Sequence, residues 1–402
     1  MNHTDAGPAD GRRWPFLALV LSVAAVAQLA FAAVPPVLPE LAAALGVSRG
    51  AIGLVHGMVA LPGIFLAAYM GYLLDRLGRR RVVRWSLVIF GTAGSACFFA
   101  TDFWVILALR LLQGLGASTL LSVGIVLIGD QFTGHLRRWA MGLNVAALTL
   151  MGTLGPVLAG VIGEGGAFRP FLLYLLAFPV WVATRRLPEP AHAPSPEPPM
   201  AHLKEALGDL RRRHSLSDFL GMLPVSMTTL AVYMGLTQTL APLFLEREFG
   251  LTPTQRGLLL AVGAGMSSLA SVMSGRLSAR LRPAWAVAGG LAMEVAGFAA
   301  VGLAPNLWVV GAGLALVGGG FGSLTPVLQN FAASVGRPPH RGILVGTWVS
   351  GNRVGMFAGP ALMTAIAGGI GDRPTYLVGA AVVALVATAL LPVRRRAAYR
   401  WR

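Results

Sequence analysis

The 402-residue sequence predicts an all-α membrane protein in which twelve transmembrane helices form two six-helix bundles related by an internal repeat. Three observations support this fold class. The chain is 55% apolar and 12% charged, whereas soluble domains are about 25% charged. Apolar runs of about 20 residues, each long enough to cross a hydrocarbon core, recur along the whole length. The two halves of the chain also match each other at a fixed offset of 204 residues.

The internal repeat sets the domain organisation. Its offset aligns, among others, Gly53 with Gly257 and the Gly-Pro pair at 155–156 with the pair at 359–360. Solenoid repeats are only about 20–50 residues long, so a period of 204 residues indicates a duplicated half-protein, which in an apolar chain is typical of a two-bundle transporter. We predict an N-terminal bundle (1–187), a cytoplasmic linker (188–215) and a C-terminal bundle (216–402).

Each predicted helix corresponds to one apolar run. In the first half the runs lie near residues 14–38, 52–74, 83–101, 104–129, 140–162 and 169–184. In the second half they lie near residues 217–244, 255–275, 284–304, 307–334, 343–367 and 374–391. In the linker, residues 188–199 are proline-rich and should be extended. Residues 200–214 have an apolar and a basic face, which fits a short helix on the membrane surface or a solvated connector equally well.

The distribution of basic residues predicts the orientation. The formal net charge is +16, and 25 of the 32 Lys and Arg residues fall on the side that carries both termini. Five fall on the other side, and Arg110 and Arg353 lie inside helices. Basic loops remain cytoplasmic, so both termini should be cytoplasmic, in a bacterial inner membrane. Nucleic-acid binding is not favoured, because the basic residues are divided among short loops.

Three motifs resemble those of one transporter family. The segment GYLLDRLGRRR at 71–81 resembles the signature loop of the major facilitator superfamily. LRLLQGLGAS at 109–118 resembles the helix-4 motif of that superfamily and contains Arg110 and Gln113. GTLGPVLAG at 152–160 resembles the helix-5 motif of its drug:proton antiporters, with Ala159 where glycine is usual. The residues that match the signature loop are Gly71, Leu73, Asp75, Arg76, Gly78, Arg79 and Arg80.

The signature loop is expected to act as a gate. A reverse turn between two helix ends calls for the conformational freedom of Gly71 and Gly78. The resemblance implies that Asp75 docks on the start of helix 11, near Gly342, and latches the outward-facing state. Asp130, at the cytoplasmic end of helix 4, is a candidate second partner for the arginine cluster. The alternative interpretation is a solvated loop that only sets the topology.

Polar residues near the outer side suggest a proton site. Arg110 lies about 9 Å inside helix 4, and a charge at that depth usually faces a cavity or a partner. The resemblance assigns Arg110, together with Gln113, to proton coupling or substrate contact. Glu40 and His56 lie at a similar depth and complete the expected group. Alternatively, Arg110 is a structural residue that reaches toward the outer headgroups.

Arg353 is the deepest charge in the second half. It lies about 15 Å inside helix 11, and no acid in a cavity-lining helix stands opposite it. We therefore expect it to contact the substrate. Each of the remaining candidates for substrate contact fits a helix–helix hydrogen bond as well. These candidates are Gln28, Tyr233, Gln238, Asn330 and Asn352.

Glycine-proline pairs are expected to shape two helices. Pro156 removes a backbone hydrogen bond and should bend helix 5, while Gly155 allows close helix contact. Gly359 and Pro360 repeat this arrangement in helix 11. The two pairs should lie symmetrically at the interface between the halves, where they would seal a leak path. Ordinary packing of small residues is the alternative.

These features favour a transporter over an enzyme. The sequence has no P-loop, HExxH or GxSxG motif and no Cys–His metal spacing, and its single cysteine, Cys97, excludes an intrachain disulfide. The leading hypothesis is a monomeric, proton-coupled exporter of amphipathic small molecules or drugs that needs no cofactor. The alternatives are a proton- or anion-coupled carrier of a specific, possibly anionic, metabolite, and a non-transporting membrane scaffold or receptor.

Overall fold

Helices make up nearly all of the described chain. The computed structural model describes residues 13–67, 69–187, 199–212, 216–277, 283–335 and 341–397. These residues contain no strand, and nine helical stretches within them have the length and hydropathy to cross a bilayer. The prediction of an all-α membrane protein is therefore confirmed. Most of the predicted extended linker, residues 188–198, lies outside the described residues.

In the first half, prolines divide the first two predicted helices into shorter segments. A 3-10 turn with prolines at 35–36 separates α1 from α2, and Pro62 opens the segment that follows α3. These breaks arise because proline cannot donate the backbone hydrogen bond of a continuing helix. A 3-10 helix, Arg169–Leu176, precedes α9. The helices are α1 Arg13–Ala32, α2 Leu38–Ala44, α3 Arg49–Gly57, α4 Leu61–Leu66, α5 Met70–Leu77, α6 Arg79–Ala96, α7 Phe103–Gln131, α8 Gly134–Gly163 and α9 Ala177–Ala183.

In the second half, a π-helical segment, Tyr233–Leu240, joins α11 to α12. The linker contains a helix, α10, which packs against α11 and α16. Gly250 ends α12 with a φ of +61°, a conformation in which glycine avoids the strain of a side chain. The helices are α10 Pro199–Arg212, α11 Leu216–Val232, α12 Ala241–Phe249, α13 Pro253–Leu277, α14 Pro283–Gly302, α15 Leu307–Val335, α16 Arg341–Ile370 and α17 Asp372–Ala397.

Three predicted transmembrane helices are not among the nine candidate spans. They are the runs near 83–101, 169–184 and 374–391. The first corresponds to α6, which opens with an arginine-rich turn, and the third corresponds to α17. The second is short, because its apolar helical stretch covers only Arg169–Ala183. The number of twelve spans therefore stays a prediction.

Two of the helix pairs that join the halves are related by the internal repeat. Helix α3 packs on α16, and α13 packs on α8. A Cβ atom on Gly53 would lie 2.6 Å from the carbonyl oxygen of Pro360, and one on Gly257 would collide with the carbonyl of Pro156. The offset of 204 residues relates Gly53 to Gly257 and Pro156 to Pro360. The close approach of a glycine in one half to a proline carbonyl in the other half therefore occurs twice. Each half has its own hydrophobic core.

Candidate functional site

Charged residues bridge the two halves at one end of the molecule, which we call the closed end. Arg49, at the start of α3, donates a hydrogen bond from Nη2 to Oε2 of Glu246 in α12 over 3.2 Å. Its Nη1 lies 3.8 Å from Oδ2 of Asp372, the first residue of α17. Arg256 of α13 is fully buried and pairs with Glu40 of α2. Each pair joins one half to the other, so together they hold the halves in contact.

Hydrogen bonds to the backbone reinforce the closed end. The carboxylate of Glu164, just after α8, accepts a hydrogen bond from the backbone N–H of Thr254 over 3.2 Å. Hydrogen bonds from Thr252 and Thr254 lower the pKa of Glu164. The hydroxyl of Thr364 in α16 donates to the carbonyl of Gly50 in α3 over 3.0 Å. These contacts again cross from one half to the other.

The opposite end carries the arginines of the α5–α6 turn and is called the basic end. Farther along α16, two glycines face α11 of the same half. A Cβ atom on Gly351 would lie 2.7 Å from Cδ1 of Leu223 in α11, and one on Gly355 would collide with the carbonyl of Met227 in the same helix. Helix α5 packs on α6. The ion pairs between the halves described above lie at the closed end.

Arg110 joins several elements of the first half. Its side chain is fully buried in α7. Nε donates to the carbonyl of Val55 in α3 over 3.0 Å, and Nη2 donates to that of Ala30 in α1 over 2.9 Å. Nη1 donates to Oε1 of Gln113 over 2.7 Å and to the Tyr174 hydroxyl over 2.9 Å. All four acceptors are neutral groups, which is one way in which a charge inside a membrane protein is accommodated.

The structure divides the group expected to form an outer proton site. Arg110 and Gln113 are in contact, and His56 lies near Arg110 with a ring centroid 6.2 Å from that of Phe31. Both ring nitrogens of His56 are buried and have no hydrogen-bond partner within the described residues. Glu40, in contrast, pairs with Arg256 of the other half. The carboxylate of Glu40 is stabilised more by the buried guanidinium of Arg256 than it would be by neutral groups such as Gln113, because hydrogen bonds between charged groups are stronger.

Arg353 reaches from the second half to the first. Its side-chain carbons pass over Gly63 of α4, where a Cβ atom would lie 3.1 Å from Cδ of Arg353. The guanidinium carbon lies 5.5 Å from the ring centroid of Phe31 in α1, and Nη1 lies 3.5 Å from Sδ of Met356. The residue is 9% exposed, and no carboxylate pairs with it in the described chain. It is therefore a buried cation at the interface that lacks a counter-charge among the described residues.

The other predicted substrate contacts occupy different environments. Gln28 of α1 lies against Gly152 of α8, and Gln238 lies in the π-helical segment with its Oε1 buried and unpartnered among the described residues. Tyr233 stacks on Phe321 with ring centroids 4.0 Å apart. The side chains of Asn330 and Asn352 differ from these: the first is exposed, and the second accepts a hydrogen bond from the Ser226 hydroxyl over 2.7 Å.

The signature loop forms the turn between α5 and α6. Gly78 has a φ of +85°, a conformation that favours glycine, whereas Gly71 lies within α5. Arg79 opens α6, is buried, and pairs with Asp130 at the end of α7. Arg76 follows Asp75 in the last turn of α5 and is exposed. The structure therefore ties the loop to α7, while the latch to α16 stays a prediction.

The glycine-proline pairs lie where two interfaces meet. Pro156 and Pro360 present their carbonyls to the opposite half, as described above. The adjacent glycines instead face their own half. A Cβ atom on Gly155 would lie 2.6 Å from Cβ of Ala32 in α1, and one on Gly359 would collide with the carbonyl of Ala231 in α11. Helices α8 and α16 continue through these prolines.

Some residues at these contacts were missed by the sequence predictions. Tyr174, which hydrogen-bonds Arg110, lies in a 3-10 helix far along the chain. Arg256 lies at the start of a predicted helix and counted only toward topology, and Glu246, just after the predicted helix 217–244, was not considered. The charge itself was a signal for these residues, because a charged side chain near the end of a transmembrane helix must contact either water or a partner. The sequence did not show which partner it would be.

Comparison with known proteins identifies the family of this chain. The sequence profile of the Major Facilitator Superfamily matches residues 20–247 and 227–400. The chain belongs to the Major Facilitator Superfamily. The resemblance inferred from the signature loop is thereby confirmed, and the chain is a transporter rather than an enzyme. The two profile matches together cover both halves of the internal repeat.

Similar proteins include some named for multidrug resistance and one named as an exporter. The chain is 24% identical over 367 residues to the multidrug resistance protein MdtG of Enterobacter lignolyticus, covering 88% of this chain and 86% of that protein. It is 31% identical over 157 residues to the bacillibactin exporter of Bacillus subtilis, covering 37% of this chain and 39% of that protein.

Solved structures share the fold. A bacterial homolog of the human lysosomal transporter Spinster superposes with a TM-score of 0.79 at 17% identity, covering 97% of this chain and 98% of that one. The human organic anion transporter MFSD10 superposes with a TM-score of 0.68 at 21% identity, covering 94% of this chain and 99% of that one. At these identities the likeness establishes the fold alone.

Proposed function

We propose that the protein is a proton-coupled exporter of amphipathic small molecules that works by alternating access. The observation that carries the proposal is the pairing of repeat-related halves, which ion pairs such as Glu40–Arg256 and Arg49–Glu246 join at the closed end. In transporters of this architecture, one bundle rocks against the other around a fixed central site. The bundles proposed to move are residues 1–187 and 216–402, connected by the cytoplasmic linker 188–215.

The charge distribution supports an orientation for this cycle. The arginines of the α5–α6 turn lie at the basic end, and basic loops remain cytoplasmic. We therefore place the basic end and both termini in the cytoplasm and the closed end outside, with twelve spans in a bacterial inner membrane. In this orientation the structure represents a state that is closed toward the outside. The protein is proposed to act as a monomer.

Export and proton coupling are supported by similarity. The helix-5 segment GTLGPVLAG resembles that of drug:proton antiporters, and relatives named for multidrug resistance match 88% of the chain. No P-loop supplies ATP-driven transport. A proton gradient is therefore the proposed energy source, and an amphipathic organic molecule the proposed substrate.

The proposed coupling can be tested in inverted membrane vesicles with an acidic lumen. We expect ethidium to accumulate inside them, because protons leaving the lumen would drive the substrate inward. Collapsing the pH gradient with an ionophore should abolish accumulation, as measured by fluorescence. Vesicles without the protein provide the control. Accumulation that persists without a proton or sodium gradient would rule out antiport.

A carrier of an anionic metabolite is the second candidate, and Arg353 favours it. A cation this deep is costly, by about 2.5–3.5 kcal/mol on insertion scales, and no carboxylate of the described residues offsets that cost. A carboxylate or phosphate on the substrate would do so. Purified protein can be screened for both classes by thermal shift, because a ligand stabilises the folded state by mass action. Cationic hits would favour the exporter and anionic hits the carrier.

Replacing Arg353 tests its contact with the substrate. We expect Arg353→Ala to weaken the binding of whichever ligand the screen identifies by at least about tenfold, which equals about 1.4 kcal/mol. Arg353→Lys should restore binding only in part, because lysine lacks the planar fork of donors. Binding is measured by titration of purified protein whose melting temperature is unchanged. Unaltered affinity in folded Arg353→Ala would show that the residue serves packing.

The gating role of Asp75 predicts a transport defect without a folding defect. We expect Asp75→Asn to insert normally but to transport several times more slowly, because the neutral amide docks less strongly on a helix N-terminus. Flux in vesicles and labelling of a single cysteine placed at the basic end provide the measurements. Wild-type flux at equal expression would eliminate the latch.

A further inference from the structure

The arginine run after Gly78 divides into two sets. Arg79 is buried and pairs with Asp130 inside the protein. The next arginines of α6 line a surface groove of about 410 Å³ between α6 and α9. The groove is formed by Arg80, Arg81, Arg84, Trp85, Val88 and Trp181. The signature loop includes Arg79 and Arg80, but its gating function leaves Arg81, Arg84 and the groove itself unexplained.

The groove is strongly cationic, and none of the described residues that line it is acidic. The guanidinium carbon of Arg84 lies 4.9 Å from the ring centroid of Trp181. That of Arg185, from the turn after α9, lies 5.8 Å from the same ring. Such stacking fixes guanidinium groups in place and leaves their N–H donors available. Four arginines thus converge on a small volume lined by two tryptophans.

The position of the groove corresponds to a membrane boundary. Helix α6 begins at the basic end, and α9 ends there in the 3-10 turn Thr184–Arg186. Trp85, one residue after Arg84, is 63% exposed. Tryptophan is enriched at the level of lipid headgroups, and basic pockets between transmembrane helices suit phosphate headgroups. The apolar side chains of Val88 and Trp85 continue from the arginines along the surface of α6.

We propose that this groove binds the phosphate of an anionic phospholipid in the leaflet at the basic end. Arg81 and Arg84 donate hydrogen bonds to the phosphate oxygens, since a guanidinium matches phosphate geometry with two parallel donors. Trp181 supports the stacked arginines, and an acyl chain lies along Val88. Because α6 starts directly after the turn at Gly78, a bound lipid steadies the base of the signature loop. The site is independent of the transported substrate and of the coupling ion.

The test compares lipid retention by two double variants of the detergent-purified protein. Arg81→Gln/Arg84→Gln removes two charges from the groove. The matched control, Arg137→Gln/Arg138→Gln, removes two exposed charges from the start of α8 at the same end. Each protein is incubated with phosphatidylglycerol, phosphatidylcholine or glycerol 3-phosphate. Native mass spectrometry measures the number of bound lipids, and a thermal melt measures the stabilisation.

We expect phosphatidylglycerol to bind to and stabilise the wild type and the control variant, while the groove variant loses both effects. Phosphatidylcholine should be retained weakly by all three proteins. Equal loss in the control variant would show a diffuse charge effect and overturn the site. Full stabilisation by glycerol 3-phosphate would overturn a lipid as the occupant. If the double variant does not fold, the single Arg81→Gln protein, altered at an exposed residue, takes its place.

Discussion

We expect Arg110→Ala to remove much of the folding stability of the protein. The substitution leaves the carbonyls of Ala30 and Val55 and the side chains of Gln113 and Tyr174 without their donor. Each buried polar group left without a partner costs about 1–3 kcal/mol. The variant should therefore melt well below the wild type and express poorly. The measurement is a thermal melt of protein purified in detergent.

Two further variants separate a structural role of Arg110 from one in coupling. Arg110→Lys keeps the charge but cannot reproduce the arrangement of donors, so its melting temperature should fall between those of the wild type and the alanine variant. Arg138→Ala, at an exposed position of α8, should leave the melting temperature unchanged. If Arg110→Ala instead folds with full stability and moves substrate without protons, the residue belongs to the coupling machinery.

We expect Glu40→Gln to open the closed end. It removes the counter-charge of Arg256, which is fully buried between the halves. Breaking a buried ion pair by removing one partner costs about 3–5 kcal/mol. Because the Glu40 side chain is 34% exposed, the effect should be smaller. We expect a shift of at least about tenfold, or about 1.4 kcal/mol, toward the state that is open at this end.

Spin labels can measure this opening. Labels at Ala44 and Leu303, both exposed near the closed end, would report the distance between the halves by pulsed electron paramagnetic resonance. Glu248→Gln is the matched control, because it breaks an ion pair with Arg373 at the same end but within one half. The reversed pair Glu40→Arg/Arg256→Glu should restore part of the closed population. An unchanged distance distribution in Glu40→Gln would show that this pair does not hold the halves together.

Each predicted helix has a helical counterpart, because local properties of the sequence determine helices. Apolar runs fix the length of a segment that can lie in a bilayer, and the residues at its ends often mark where it stops. Asp102, for example, caps α7 with its carboxylate, which accepts hydrogen bonds from the backbone N–H groups of Trp104 and Val105. The arrangement of the candidate site was less accessible, since its contacts join residues far apart in the chain.

The sequence by itself determined that this chain is a helical membrane transporter with a duplicated half, because composition, hydropathy and a fixed offset are properties of the chain alone. Only the tertiary structure decided which charges meet. Glu40 and Arg256, which form an ion pair, are 216 positions apart in the chain. Arg79, Arg80 and Arg81 are consecutive in α6, but Arg79 pairs with Asp130 inside the protein, whereas Arg80 and Arg81 line the surface groove. Two charged residues form a pair only if the packing of the helices brings their faces together. The sequence does not show this packing, because it depends on contacts throughout the molecule.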